Sequence, residues 1–185
     1  MPPNTPRASI IGSPSGPEPP FPLRMRGAVE KGFGRGSKEL GIPTANLPVT
    51  SAPWISTADS GVYFGWASLQ LPLAPVASRE GFERRYGRCG CGARGEEGGG
   101  VEGVSDGDVD WEVHIMHPFP EDFYGAPLAL SILGYIRPEY DYVDKDSLIK
   151  DIREDMAVAE RSLDRVAWRA RREDAFLWGD EAKSE

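Results

Sequence analysis

From Leu23 onward the apolar residues come in short runs with partial period-2 alternation, separated by turn residues: RMRGAVEKGF, SGVYFGWASLQL, DWEVHIMH and PLALSILGYIR. Aromatic and β-branched side chains, which pack well on a pleated surface, recur in these runs, so they predict short antiparallel strands of a small sandwich or barrel. Near the C-terminus the period changes. Leu148, Ile149, Ile152, Met156, Ala159, Leu163 and Val166 recur at steps of three and four, the apolar stripe of a helix over 145–170 with Asp146 or Ser147 as its N-cap. Such a stripe packs on the barrel and completes its core.

Two segments break the pattern. Residues 1–20 are rich in Pro, Ser and Gly with few large apolar groups, so burial returns less than ordering costs, and a disordered tail is predicted ahead of a domain over 21–185. Residues 77–107, ASREGFERRYGRCGCGARGEEGGGVEGVSDG, hold almost no aliphatic side chains and a glycine every two or three positions. That composition predicts a flexible low-complexity insertion with no packed strand.

With 185 residues, 39% hydrophobic and 27% charged, the chain supports one core. Its net charge of -8 argues against a general nucleic-acid binder, which needs a dense positive surface, and the arginines of the Gly-rich tract are countered by Glu96, Glu97, Glu102 and Asp106. Positive charge is local instead: Arg24, Arg26, Lys31, Arg35 and Lys38 face a single Glu30 between positions 24 and 38. Cys89 and Cys91 stand one residue apart, too close for an unstrained bridge, which predicts a reducing compartment. The first residues lack a signal-peptide core and no apolar run reaches membrane length, so a soluble, cytoplasmic protein without an integral membrane segment is expected.

The positive stretch contains GFGRGSKELGIPTAN. Its glycines, Gly32, Gly34 and Gly36, fit neither the P-loop nor the dinucleotide fingerprint, yet alternating glycines allow a bend whose N–H groups converge on an anion beside Arg35 and Lys38. A plain glycine-rich turn would read the same. Thr44 and Asn46 lie two apart in an extended segment and so share one face, where a hydroxyl and an amide oxygen suit Mg²⁺ if phosphates supply the negative ligands. An Asx or Ser/Thr turn is the other reading. In DWEVHIMHPF, alternation puts Trp111, Val113 and Ile115 on one face and Glu112, His114 and Met116 on the other. Glu112 is either an outward strand glutamate or a carboxylate that takes the proton of an alcohol in phosphoryl transfer. The proline at 118 and their spacing make His114 and His117 a poor metal pair.

In order along the chain, RGAVEKGFGRGSKELGIPTANLPV, SGVYFGWASL, EVHIMHPFPEDFYGAPLALSILGYIRPEYDY and LIKDIREDM closely resemble the eukaryotic riboflavin kinases, over residues 21–72 and 110–165. The resemblance implies a mainly β fold, a six-stranded antiparallel Greek-key barrel with C-terminal helix. It also implies ATP-dependent phosphorylation of riboflavin at the ribityl 5′-hydroxyl to FMN, with Mg²⁺ or Zn²⁺, by a monomer that takes riboflavin and ATP. It assigns Gly32, Gly34, Gly36 and Lys38 to the loop over the ATP phosphates, Thr44 and Asn46 to the metal, and Thr44 also to the nucleotide. Glu112 becomes the catalytic base, Ile115, His117 and Tyr124 nucleotide contacts, and Arg137, Tyr140 and Tyr142 the flavin side. The family carries an apolar strand ending in Asn-Pro just ahead of that glutamate, where this chain has the Gly-rich tract. The tract is therefore expected to stand in place of a barrel strand, which leaves a closed or a partly open barrel as the alternatives, with LQLPLAPVA as a candidate for the empty place. A catalytically impaired flavin- or nucleotide-binding homologue is the alternative reading.

Overall fold

The computed structural model describes residues 7–31, 44–48, 52–72, 82–94 and 110–179. Among the described residues six strands form one antiparallel sheet: β1 (Leu23–Ala28), β2 (Ala45–Leu47), β3 (Gly61–Pro72), β4 (Phe82–Arg94), β5 (Asp110–Ile115) and β6 (Pro127–Arg137), in the spatial order β1-β6-β3-β4-β5-β2. β3, β4 and β5 run as consecutive antiparallel neighbours and β6 returns beside β3, which is a Greek key. A bridge between Glu30, just past β1, and Asn46 in β2 joins the two edges of the sheet, so the barrel closes. Closure satisfies the edge groups that an open sheet leaves unpaired.

β4 corrects the sequence reading. It lies inside the Gly-rich tract expected to hold no strand, pairs with β3 from Gly61↔Ala93 to Pro72↔Phe82, and pairs with β5 from Cys89↔Ile115 to Arg94↔Asp110. A strand with a partner on each side is held by two backbone ladders, for which glycine supplies the same N–H and C=O groups as any residue, and this offsets its larger entropic cost. Of LQLPLAPVA, Leu69–Pro72 is the end of β3, and the rest lies outside the described residues. The missing-strand premise of an impaired homologue therefore does not hold.

Alternating side chains of the strands fill the barrel: Met25, Ala45, Leu47, Tyr63, Leu69, Trp111, Val113, Leu128, Leu130 and Ile132 are all buried there. A second apolar layer lies outside it, where Phe64, Trp66 and Leu133 meet Ala159, Leu163, Trp168 and Leu177 of the C-terminal helices. These are α1 (Lys145–Leu163), α2 (Val166–Arg169) and α3 (Ala175–Trp178). The single helix expected over 145–170 thus stops at Leu163, and Val166, expected on its apolar stripe, is 85% exposed. Arg165 leaves helical geometry with ψ 143° and turns its guanidinium back onto the carbonyl of Ser162 and onto residues 11–13. The N-cap is Asp144 rather than Asp146 or Ser147: its carboxylate accepts the Ser147 amide at 2.7 Å and the Ser147 hydroxyl at 2.9 Å. Those bonds hold the Asp144 carboxyl below its usual pKa.

The N-terminal segment is the other correction. Residues 7–16, expected to be disordered, lie across α1 and α2 as a strap. Ile11 donates its amide to the Ser162 hydroxyl at 2.9 Å, Arg161 reaches the Ser9 carbonyl at 2.8 Å, and Trp168 Nε1 reaches the Ser13 carbonyl at 2.9 Å. Ordering comes from partners some 150 positions away, which composition does not register.

Gly65 marks a tight passage in the sheet. A Cβ there would stand 2.1 Å from the Ser131 carbonyl oxygen and 2.9 Å from Ile132 Cα, both backbone atoms of β6. Gly65→Ala is expected to push β3 from β6 and lower stability by about 1–3 kcal/mol, read as a shifted urea midpoint at unchanged slope. An unaltered midpoint would contradict this packing.

Candidate active site

β5 alternates as expected. Trp111 and Val113 are fully buried and Ile115 is 6% exposed in the barrel core, while Glu112, His114 and Met116 are only partly buried on the opposite face. Register then carries Glu112 to its neighbours. It stands directly opposite Asn46 of β2, which in turn bridges Glu30, and directly opposite Gly92 of β4. Gly92 faces Val62 of β3, and Val62 faces Arg137 of β6. One row, Glu30–Asn46–Glu112–Gly92–Val62–Arg137, therefore crosses the barrel. Paired residues share a face and lie about 4.5–5.5 Å apart, so the Asn46 amide and the Glu112 carboxylate are immediate neighbours. Arg137 is three strand spacings from Glu112, about 14 Å along the sheet. Between them stand glycine at position 92, next to Glu112, and Val62, next to Arg137.

The described chain on either side of the Gly-rich stretch adjoins this row. Gly32, Gly34, Gly36 and Lys38 lie outside the described residues, but the chain on either side is placed: Glu30 donates its amide to the Asn46 carbonyl at 2.9 Å, and Thr44 precedes β2. Next to them, the turn before β6 is tied to the end of β1 by Gly125 N–H donating to the Val29 carbonyl at 2.8 Å and Val29 N–H to the Ala126 carbonyl at 2.9 Å. That turn carries an aromatic lip. His117 meets Phe119 edge to face at 5.0 Å, Phe119 meets Phe123 at 4.7 Å, and Tyr124 is 49% exposed. His117 and Tyr124 thus stand at the surface, whereas the Ile115 side chain points into the core; the Ile115 carbonyl accepts the His117 amide at 2.7 Å. A nucleotide contact from Ile115 is therefore left to its backbone.

Arg137, Tyr140 and Tyr142 gather at the far end of the row. The Arg137 guanidinium gives Asp155 of α1 three bonds of 2.7–3.2 Å, gives the Pro138 carbonyl another at 2.9 Å, and lies 4.8 Å from the centre of the Tyr140 ring. Tyr142 donates its hydroxyl to Asp151, one turn before Asp155. Burial lowers the affinity of Arg137 for its proton, but the bonds and charge of Asp155 more than offset this and hold its pKa above the usual value. Burial dominates at Asp155, whose carboxyl is pushed above the ordinary range against the pull of Arg137. At Asp151 burial also raises the pKa, yet the bond from Tyr142 and the Arg7 charge bring it below the ordinary value. Tyr142 is pushed up by burial first and then by Asp151. Asp151, Asp155 and Arg7 were not legible as neighbours of Arg137, because the packing of α1 on β6 brings the two acids to it and the strap brings Arg7 to the acids.

A cavity of about 260 Å³ lies elsewhere, against Arg26, Gln70 and Phe176, and none of the expected site residues lines it. Among the described residues no group of three or more His, Cys, Asp and Glu side chains could hold a metal ion, so no donor set for Zn²⁺ is seen there. Thr44 and Asn46 offer hard neutral oxygens beside two carboxylates, a set that fits Mg²⁺. No described helix is long and apolar enough to cross a membrane.

The sequence model of the family described as "Flavokinase: Riboflavin kinase" matches residues 19–163. The chain belongs to the riboflavin kinase family. It is 47% identical over 182 residues to the riboflavin kinase of Pyricularia oryzae, an alignment that covers 89% of this chain and 82% of that one. With the riboflavin kinase of Chaetomium globosum it shares 46% identity, over 91% of this chain and 82% of the relative. The crystal structure of riboflavin kinase from Trypanosoma brucei superposes with a TM-score of 0.64 at 21% identity, covering 90% of this chain and 95% of that one. That structural likeness carries the fold, the mainly antiparallel β architecture with C-terminal helix. The matched 19–163 contain every expected site residue of this riboflavin kinase family member and leave the strap's residues 7–16 outside.

Proposed function

We propose that this chain phosphorylates riboflavin at the ribityl 5′-hydroxyl, consuming ATP and releasing FMN and ADP, with Glu112 as the base. The observation that carries the site assignment is the β2–β5 register, which sets Glu112 opposite Asn46. The hydroxyl oxygen attacks the γ-phosphorus, its proton passes to the Glu112 carboxylate, and the bond from that phosphorus to the β–γ bridging oxygen breaks as ADP leaves. Such a transfer needs little covalent help from the protein; positioning and charge opposition dominate. Gly32, Gly34, Gly36 and Lys38 cover the phosphates, while His117 and Tyr124 flank the nucleotide from the aromatic lip. Thr44 and Asn46 would hold Mg²⁺, which when bound would supply positive charge against the triphosphate. Arg137, Tyr140 and Tyr142 form the flavin end of the row. The protein works as a soluble, cytoplasmic monomer.

The test is conversion of riboflavin to FMN by the purified protein with Mg·ATP, followed by chromatography; riboflavin that stays unchanged under these conditions would overturn the reading. Asn46→Leu removes one hard oxygen ligand and is expected to raise the Mg²⁺ concentration for half-maximal rate by about tenfold. An unchanged Mg²⁺ requirement would remove Asn46 from the metal site.

A further inference from the structure

Arg7 lies ahead of the matched 19–163 stretch, yet its guanidinium reaches the network that holds Arg137. Arg7 donates to Asp151 Oδ2 at 2.9 Å and to the Asp151 carbonyl at 3.2 Å, and stands 3.2 Å from Asp155 Oδ1. Asp151 and Asp155 are four residues apart on α1, hence on one helix face, where two carboxylates repel. Asp155 is 5% exposed and bonded to Arg137. Two guanidinium groups, one from each side, balance these two acids. Without Arg7, Asp151 keeps the neutral Tyr142 hydroxyl but loses its nearest cation, and Arg137 has to balance the charge of both acids, one of them buried. Its fork can then swing from Asp155 towards Asp151, which Arg137 NH2 already approaches to 3.9 Å.

The rest of the strap sets Arg7 in place. Arg165 donates to the carbonyls of Gly12 at 2.9 Å and Ser13 at 3.1 Å, and to that of Ile11. Gly12 takes φ +79°, and a Cβ there would stand 2.4 Å from the Trp168 ring, so only glycine lets the strap lie this close.

We propose that the N-terminal strap is part of the flavin end of the site: Arg7 is a positioning residue that, by countering Asp151, keeps Asp155 committed to Arg137 and Arg137 oriented for the flavin. This rests on the reading of Arg137 as a flavin-side residue. The full chain is compared with Arg7→Met, Arg7→Lys and Arg137→Lys, with riboflavin KM, ATP KM, kcat and melting temperature measured for each. Arg7→Met is expected to raise the riboflavin KM by about tenfold, the size of coupling seen within one charged network, with kcat and the ATP KM within about twofold. Arg7→Lys, which keeps the charge, restores most of the loss. A riboflavin KM unchanged in Arg7→Met overturns the proposal, as does a rise in both KM values and a fall in kcat that follow the melting temperature. If Arg137→Lys raises the riboflavin KM while Arg7→Met does not, the strap proposal alone fails; if Arg137→Lys leaves it unchanged, the flavin-side reading fails with it.

Discussion

Glu112→Gln is expected to lower kcat by about 10²- to 10⁴-fold, the loss that follows removal of a well-placed general base. The amide keeps the size of the side chain and its place on β5, opposite Asn46, but cannot take up the proton of the ribityl hydroxyl. Binding should survive. Riboflavin quenching titrations and ATP affinity within about threefold of the parent, beside the lost turnover, would mark an interaction made chiefly in the transition state. Turnover equal to the parent's would dismiss Glu112 as the base, and equal loss of binding and turnover would make it a structural residue.

Trp168→Ala should cost about 3–5 kcal/mol, the usual range for emptying a buried aromatic site, from a total stability of about 5–15 kcal/mol. Trp168 is 1% exposed and stacks on Phe64 at 5.6 Å with an interplanar angle of 20°. Its carbonyl accepts the Trp66 indole N–H at 3.0 Å, and its own Nε1 holds the Ser13 carbonyl. One side chain thus joins β3, α2 and the strap. Urea unfolding measures the total, and amide exchange at residues 7–16 reports the strap, which should lose protection before the barrel does. A loss below about 1 kcal/mol, or a strap still protected, would show that the layer repacks without the indole.

Much of the barrel was readable from pattern, and the reason is geometric. Side chains of a strand alternate by local backbone geometry alone, so DWEVHI revealed Trp111, Val113 and Ile115 as inward and Glu112 as outward, which is how they lie. Four of the six strands carried their own aliphatic or aromatic run. β4 did not, and its place came from what stands on either side of it, β3 and β5. The strap failed for the same reason at longer range: Ile11 has its partner in Ser162 and Arg7 in Asp151 and Asp155, and no local composition encodes them.

The helix shows both cases within a few residues. A three-four recurrence predicted α1, and Asp144 caps it in place of the expected Asp146 or Ser147 because the Ser147 N–H is the orphan donor within reach of its carboxylate. Its end at Leu163 followed from Arg165, whose guanidinium reaches the strap's carbonyls instead of continuing the helix.

By itself, the order of residues determined the family, the alternation that turns Glu112 outward, and the chemical types available for a metal-bound triphosphate: these are local or motif-level properties. The tertiary structure alone decided that Asn46, Glu112 and Arg137 share one row, that a glycine-rich segment completes the barrel, and that Arg7 meets the acids behind Arg137. Register and long-range ion pairing depend on which strands and helices become neighbours, and that choice is made by the closure of the whole barrel.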